Sequence, residues 1–373
     1  MGHALDKHGL LRELRERLDR NPIGLPEDLN VYEILSLLFT NEEASIASKF
    51  PLEPVSLQEL EECIKIPGDT LKSILEPMLD KGLVLESKKG GLSRYMLSMA
   101  LVGFFEFIFM RTNGNLPLKS LAKLINEYRL GPAFTDELFN PSTPRARSLL
   151  YESITPESKT EVLTFEYATQ LVKEAGRGGL TKCYCRHEAY HLDKACGYPI
   201  DDICISLGTA SDFLIERGFA RRASSEEILD KLSEAKKLGL MHVCDNVKQN
   251  VAFICNCCGC CCCFLAGITK HNLSYSVATT NYIADINEIT CTGCGECSKR
   301  CQINAIRHVW KSEKVYAEVD QTFCLGCGVC ASFCQQKAIL MREREKRIIP
   351  PGNMSELMRR LKQDRGKSNN VPG

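Results

Sequence analysis

Two segments of this chain, CTGCGECSKRC at 291–301 and CLGCGVCASFC at 324–334, repeat one spacing, C-x2-C-x2-C-x3-C. Closely spaced thiolates on a tight, glycine-containing turn can reach three corners of one iron–sulfur cube. The fourth cysteine, at a helix start, then points toward the other cluster. The spacing therefore predicts two [4Fe–4S] clusters with crossed ligand sets, Cys291, Cys294, Cys297 and Cys334 for one, Cys324, Cys327, Cys330 and Cys301 for the other. A pair of structural zinc sites is the competing reading, but zinc ribbons join two cysteine pairs through a longer loop. Small apolar residues recur after each copy, Ile303, Ala305 and Ile306 after the first and Ala338 and Ile339 after the second, as two half-domains packed around clusters require.

Over residues 285–340 the motif and its repeat resemble bacterial two-cluster ferredoxins. Those proteins usually carry proline after the fourth cysteine, whereas this chain has Gln302 and Gln335. An amide aimed at cluster sulfur stabilises the more negative reduced form, so the departure predicts reduction potentials shifted upward.

The chain has 373 residues with 47 basic and 47 acidic side chains, so no global polycation favours nucleic acid or a membrane. Clustered thiols at metal spacing point to a reducing compartment. The charged N-terminal segment lacks the apolar stretch of a signal peptide, and a cytoplasmic location is expected. The longest apolar run, YMLSMALVGFFEFIFM at 95–110, is short for a membrane span and contains Glu106. It reads as a core or dimer helix, with peripheral membrane contact through Phe104, Phe105, Phe107, Ile108 and Phe109 as the lesser alternative.

The expected fold class is α+β, in four parts. Residues 1–145 form a helical, winged-helix-like docking or dimerisation domain. Its third segment, where a DNA-recognition helix would stand, carries Asp69, Glu76 and Asp80 against Lys72 and Lys81, so no nucleic-acid partner is expected. NPSTPRARSLL reads as a linker, in which Arg145 and Arg147 could meet a partner carboxylate. Residues 146–284 read as a cysteine-rich, mainly helical domain whose helix SSEEILDKLSEAKKLG Ser225 could cap. Residues 285–340 are the two-cluster domain, and 341–373 a basic, solvated tail. Cys63 reads as a core residue, and Trp310 as packed within the insertion between the cluster motifs.

The middle region holds eleven thiols in two segments. KCYCRHEAYHLDKACGYPIDDIC supplies Cys183, Cys185, Cys196 and Cys204, and ICNCCGCCCCF supplies Cys255, Cys257, Cys258, Cys260, Cys261, Cys262 and Cys263. Adjacent free thiols invite oxidation unless a metal holds them, and a sulfur-only set favours iron–sulfur, zinc or Cu(I). All but Cys263 are candidate ligands for one or two further [4Fe–4S] clusters, with spacing alone leaving their grouping open. The CxCR and CNCCGCCC segments ahead of a ferredoxin module resemble a broad group of prokaryotic 4Fe-4S dicluster proteins over roughly 140–340, which implies redox function without naming a substrate. Cys244 and Cys263 stand outside that pattern.

His187–His191 also spells H-E-x-x-H, the zinc-protease signature, but without its extension and among competing thiols. There is no nucleotide-binding motif of the Walker or dinucleotide type. The expected function is a single-electron relay to or from a partner oxidoreductase or carrier, with a possible homodimer. The alternatives are a reductase with a substrate-binding middle cluster, or a redox-responsive winged-helix regulator.

Overall fold

The computed structural model describes residues 7–111, 115–139, 142–152, 164–311 and 314–366. The first third is helical: α1 (Lys7–Asp19), α2 (Leu29–Leu38), α3 (Asn41–Ala47), α4 (Leu57–Ile64) and α5 (Gly68–Asp80). Local sequence sets these boundaries. Thr40 with Glu43, and Ser56 with Glu59, close reciprocal capping boxes on α3 and α4. Leu10, Leu11, Leu14 and Leu18 bury one stripe of α1. A hairpin, β1 (Val84–Lys89) and β2 (Leu92–Leu97), follows α5 with Val84 opposite Leu97.

The apolar run at 95–110 passes from β2 through a π-helical turn, Ala100–Phe104, into α6 (Phe105–Met110). It is a core element. Phe104, Phe105, Ile108 and Phe109 are buried, with Phe104 and Phe105 packed edge to face at 5.2 Å, so these side chains are spent inside the protein rather than offered to a bilayer. Among the described residues no helix is long and apolar enough to cross a membrane. Helices α7 (Leu118–Leu130) and α8 (Pro132–Phe139) complete the helical third.

The middle region is organised differently from the helical expectation. Its centre is a seven-stranded sheet in the order β6-β4-β5-β8-β7-β3-β9. The strands are β3 (Ala146–Ser148), β4 (Gly178–Thr181), β5 (Cys204–Leu207), β6 (Arg221–Ala223), β7 (Met241–Asp245), β8 (Phe253–Cys257) and β9 (Val277–Ala278). Only the β3–β9 pairing is parallel. Every residue of β4, β5 and β7 is buried, so these short strands lack the polar–apolar alternation that marks a strand in sequence. Helices α9 (Ala168–Ala175), α10 (Tyr184–His191), α11 (Gly208–Glu216), α12 (Ser225–Lys237) and α13 (Cys263–Thr269) connect and cover the sheet. Ser224, one residue ahead of the expected cap, accepts from the Glu227 N–H at the start of α12.

One hydrophobic core runs from Leu10 of α1 to Leu361, crossing position 145 without interruption, and α10 packs against α6 and α7. Arg145 and Arg147 are internal rather than presented to a partner. The Arg145 guanidinium is spent on the α8 carbonyls of Glu137 and Leu138, and Arg147 donates to Val247 O at 3.0 and 3.2 Å.

The C-terminal module has two matching halves, β10 (Tyr282–Ile286), α14 (Glu296–Arg300) and β11 (Ile306–Lys311), then β12 (Lys314–Val319), α15 (Val329–Ser332) and β13 (Ile339–Glu343). The outer strands β10 and β13 pair, as do β11 and β12. Ile303, Ala305, Ile306, Ala338 and Ile339 all enter its core. Trp310 does not, being 73% exposed on the β11–β12 hairpin. Cys63 is likewise exposed, on the outer face of α4. The basic tail also departs from expectation: α16 (Met354–Asp364) buries Leu357 and Leu361. Arg365 then pairs with Asp19 of α1 and Glu137 of α8. Residues 367–373 lie outside the described residues.

Candidate metal centre

In the C-terminal module each cysteine turn is made by glycines with positive φ, Gly293 and Gly295 in the first and Gly326 and Gly328 in the second. These let the chain curl so that its amides and thiols face inward. Cys297 feels the thiols of Cys291 and Cys294, while Cys301 lies with Cys324, Cys327 and Cys330. Burial, first, and mutual repulsion push the Cys330 thiol far above its ordinary pKa and that of Cys327 to about 12. A bound cation would reverse this balance by stabilising thiolate. Backbone N–H groups already aim at sulfur: Ala305 at Cys301 (3.3 Å), Ala338 at Cys334 (3.3 Å) and Ala317 at Cys291 (3.5 Å).

The middle thiols fall into two groups. Six, Cys183, Cys185, Cys204, Cys255, Cys257 and Cys262, ring one small cavity, and within this ring Cys262 donates to Cys257 Sγ at 3.3 Å. Cys183 and Cys185 come from the start of α10, Cys204 from β5 and Cys262 from the cap of α13. Cys255 and Cys257 sit two apart on β8 and so share a face. Asn256, between them, turns away to donate to Ile203 O at 2.7 Å and meet His242 Nδ1 at 2.6 Å. The neighbouring thiols of Cys183 and Cys255 hold the Cys204 thiol well below its ordinary pKa.

The other group is Cys196, Cys258, Cys260 and Cys261, whose sulfurs all lie within 4.8 Å of one another. Cys196 comes from the loop between α10 and β5, the other three from the turn after β8. Donation from Cys261, opposed by burial and aided by Arg186, brings the Cys258 thiol down to about 4. Arg186 is 1% exposed and stands between the two groups. It donates from Nε to Cys258 Sγ at 3.4 Å, from Nη1 to Pro199 O and from Nη2 to Asn256 O, both at 2.7 Å. Burial alone would lower its pKa, but Cys183, Cys258 and Cys204 hold it above the ordinary value. Cys244 and Cys263 belong to neither group. Cys244 Sγ faces its neighbour's carbonyl, and only the backbone N–H of Cys263 engages, donating to Cys185 Sγ at 3.4 Å.

The H-E-x-x-H segment builds no protease site. Glu188 is buried in an ion pair with Arg129 at 2.6 Å, which leaves its carboxylate committed rather than free to activate a water, and His187 Nε2 meets His191 Nε2 at 3.2 Å. Gln302 also departs from expectation. Its Oε1 accepts the Gly259 N–H at 2.9 Å and its Nε2 donates to Gly239 O at 2.8 Å, so the amide is spent on a domain contact and none of it reaches sulfur. An upward shift of potential from this residue has no structural basis. The contact instead joins the turn holding Cys258, Cys260 and Cys261 to the residue after Cys301.

Beside Cys204 and Cys255 lies a mainly apolar cavity of about 510 Å³, bordered also by Glu106, Phe107, Tyr184 and Phe264. Glu106 accepts the Gly103 N–H at 2.5 Å through Oε2, but its Oε1 and the Tyr184 hydroxyl have no partner although both residues are buried. Burial pushes the Glu106 carboxyl up to about 8, so it holds its proton at neutral pH. The sequence marked Glu106 only as a break in an apolar run; nothing in it signalled a carboxyl beside the thiols.

A family model described as a 4Fe-4S dicluster domain matches residues 290–339, spanning both cysteine turns. No curated protein matches the chain. The C-terminal module is thereby placed among 4Fe-4S cluster binders, and the cysteine arrangement points to iron–sulfur electron transfer.

Proposed function

We propose that this protein is an electron-transfer relay. On this reading the C-terminal module is a bacterial-type two-cluster ferredoxin, with Cys291, Cys294, Cys297 and Cys334 holding one [4Fe–4S] cluster and Cys324, Cys327, Cys330 and Cys301 the other. The ring of Cys183, Cys185, Cys204, Cys255, Cys257 and Cys262 would hold a further cluster in the middle domain. The donor set fits such a group: sulfur-only, buried except for the half-buried Cys255, and gathered about one small cavity. Iron–sulfur clusters supply one-electron chemistry whose potential the surrounding hydrogen bonds, charge and burial adjust. The chain's own residues hold the thiolates, exclude water and fix the centres relative to one another.

The observation that carries the proposal is the Gly259–Gln302 contact, because it ties the middle thiols to the residue adjoining Cys301. An electron carrier with isolated centres would not need that contact. The helical N-terminal region, in which α4, α5 and the hairpin follow a winged-helix order, would dock a partner oxidoreductase, a carrier or a second copy. Regulation through DNA is the weaker use, since Glu76 and Asp80 of α5 are engaged by Arg217 of the middle region and offer phosphates nothing.

The cavity supports one second reading, a reductase. Its wall combines Cys204 and Cys255 with Glu106, which holds a transferable proton at neutral pH beside an unpartnered phenol. Anaerobic purification with iron and acid-labile sulfide counts, followed by EPR of the dithionite-reduced protein, tests the relay. Sulfide and iron in excess of about eight per chain are expected, since two four-iron clusters account for that number; a total of about eight removes the middle cluster and the relay with it.

A further inference from the structure

We infer that Cys196, Cys258, Cys260 and Cys261 form a mononuclear tetrathiolate site for one borderline-soft divalent ion, zinc or iron, separate from any iron–sulfur cluster. Spacing carries the inference. Four thiolates at ~2.3 Å from one tetrahedral ion stand ~3.8 Å apart. Cys196 and Cys258 sulfurs are 3.9 Å apart, those of Cys260 and Cys261 3.7 Å, and all six pairs lie within 4.8 Å. A four-iron cube places its own body between the thiolates and forces them further apart. The cysteines of the dicluster domain illustrate the difference within the same chain: among the described residues, no three of them form a comparably compact group.

The surroundings suit a single ion with four thiolates, which carries two net negative charges. Arg186 places a permanently charged guanidinium against Cys258 and fixes it there with two carbonyl acceptors. The guanidinium also stands over the Tyr198 ring, 5.5 Å from its centroid. Three ligands on one tight turn and a fourth from a distant loop make a staple. The ion would pin the loop carrying Cys196 and Pro199 onto the turn whose Gly259 touches Gln302. The site is therefore structural for the relay's interface, and it leaves the six-thiol ring as the cluster-binding group of the middle region.

The test uses the full chain purified anaerobically from cells supplied with iron and zinc, with zinc, iron and sulfide counted for the wild type, Cys196→Ser, Cys260→Ser and, as a control, Cys244→Ser. The expected result is one ion in excess of cluster iron, lost in the first two variants and kept in the control, with sulfide unchanged. Zinc retention identifies a zinc staple; one iron without matching sulfide, giving the EPR signal of mononuclear high-spin ferric ion after one-electron oxidation with ferricyanide, identifies the iron form. X-ray absorption of the zinc form at the zinc edge, which depends on no variant folding, should show four sulfurs at ~2.3 Å and no neighbouring metal. Loss of about four irons together with about four sulfides in Cys196→Ser would overturn the site, as would absence of a tetrathiolate ion from the wild type. Failure of the relay is read separately, from total sulfide, which this ion does not change.

Discussion

Replacing Gly259 with alanine should separate the middle region from the dicluster domain. A Cβ at this position would sit 1.8 Å from Gln302 O and 2.8 Å from its carbonyl carbon, against backbone that no rotamer change can move. The turn or the segment after Cys301 must retreat by more than an ångström. Such overpacking costs about 1–3 kcal/mol, and the retreat breaks the Gly259–Gln302 hydrogen bond, worth ~1 kcal/mol more. Together these predict a local opening free energy lower by about 2–4 kcal/mol, a rise of roughly 30-fold or more in the open population. Native-state hydrogen exchange across residues 257–263 and 300–304 of the anaerobic protein measures that population directly. Stopped-flow reduction should show a slower exchange of electrons between the dicluster domain and the middle region. Wild-type exchange protection in Gly259→Ala would refute the claim that this contact holds the regions together. Loss of protection without any change in electron exchange would sink its role in the relay.

Glu106 supplies a pH signature. Its folded-state pKa, about 8, exceeds the ordinary 4.5, so the folded chain keeps a proton that the unfolded chain releases and stability falls as pH rises from about 4.5 to about 8. The cost at pH 7 is on the order of 3 kcal/mol; Glu106→Gln should therefore resist urea better than wild type at pH 7 but not at pH 4.5, and equal midpoints at both would reject the buried-acid assignment. Gln302→Ala should weaken the domain contact yet leave the dicluster potentials unchanged in an EPR-monitored redox titration, because the amide does not face sulfur; a lowered potential would restore the tuning role. Arg186→Met removes the charge between the two thiol groups, and should lower both retained sulfide and retained ion after anaerobic dilution, whereas full retention of both would show that the guanidinium is dispensable.

The dicluster domain was legible because its cysteines recur at one short fixed spacing and adjacent glycines encode the turns that carry them. The middle thiols were legible as a set but not as groups. Cys257 and Cys262 join the ring while Cys258, Cys260 and Cys261 join the compact four. Neighbours part company because each leaves a tight turn in a different direction, and spacing along the chain carries no record of direction. The sheet was hidden by strands too short and too buried to alternate. Trp310 and Cys63 were misplaced for the opposite reason, since residue type favours burial that an exposed hairpin and an outer helix face did not provide.

The register of β5 against β8 sets Cys204 opposite Cys255, and β8 lies between β5 and β7. During synthesis Cys183, Cys185 and Cys204 leave the ribosome well before Cys255, Cys257 and Cys262. The later strand must therefore slot between two neighbours before the ring closes, and a slip of one residue would turn Cys255 and Cys257 to the opposite face. Delivery of metal before that insertion would meet half a ligand set, while delivery long afterwards would meet a buried one. On the proposed relay, loading of a middle cluster would fall in the interval in which β8 docks, and a scaffold or chaperone that lengthens this interval would raise the yield of loaded protein.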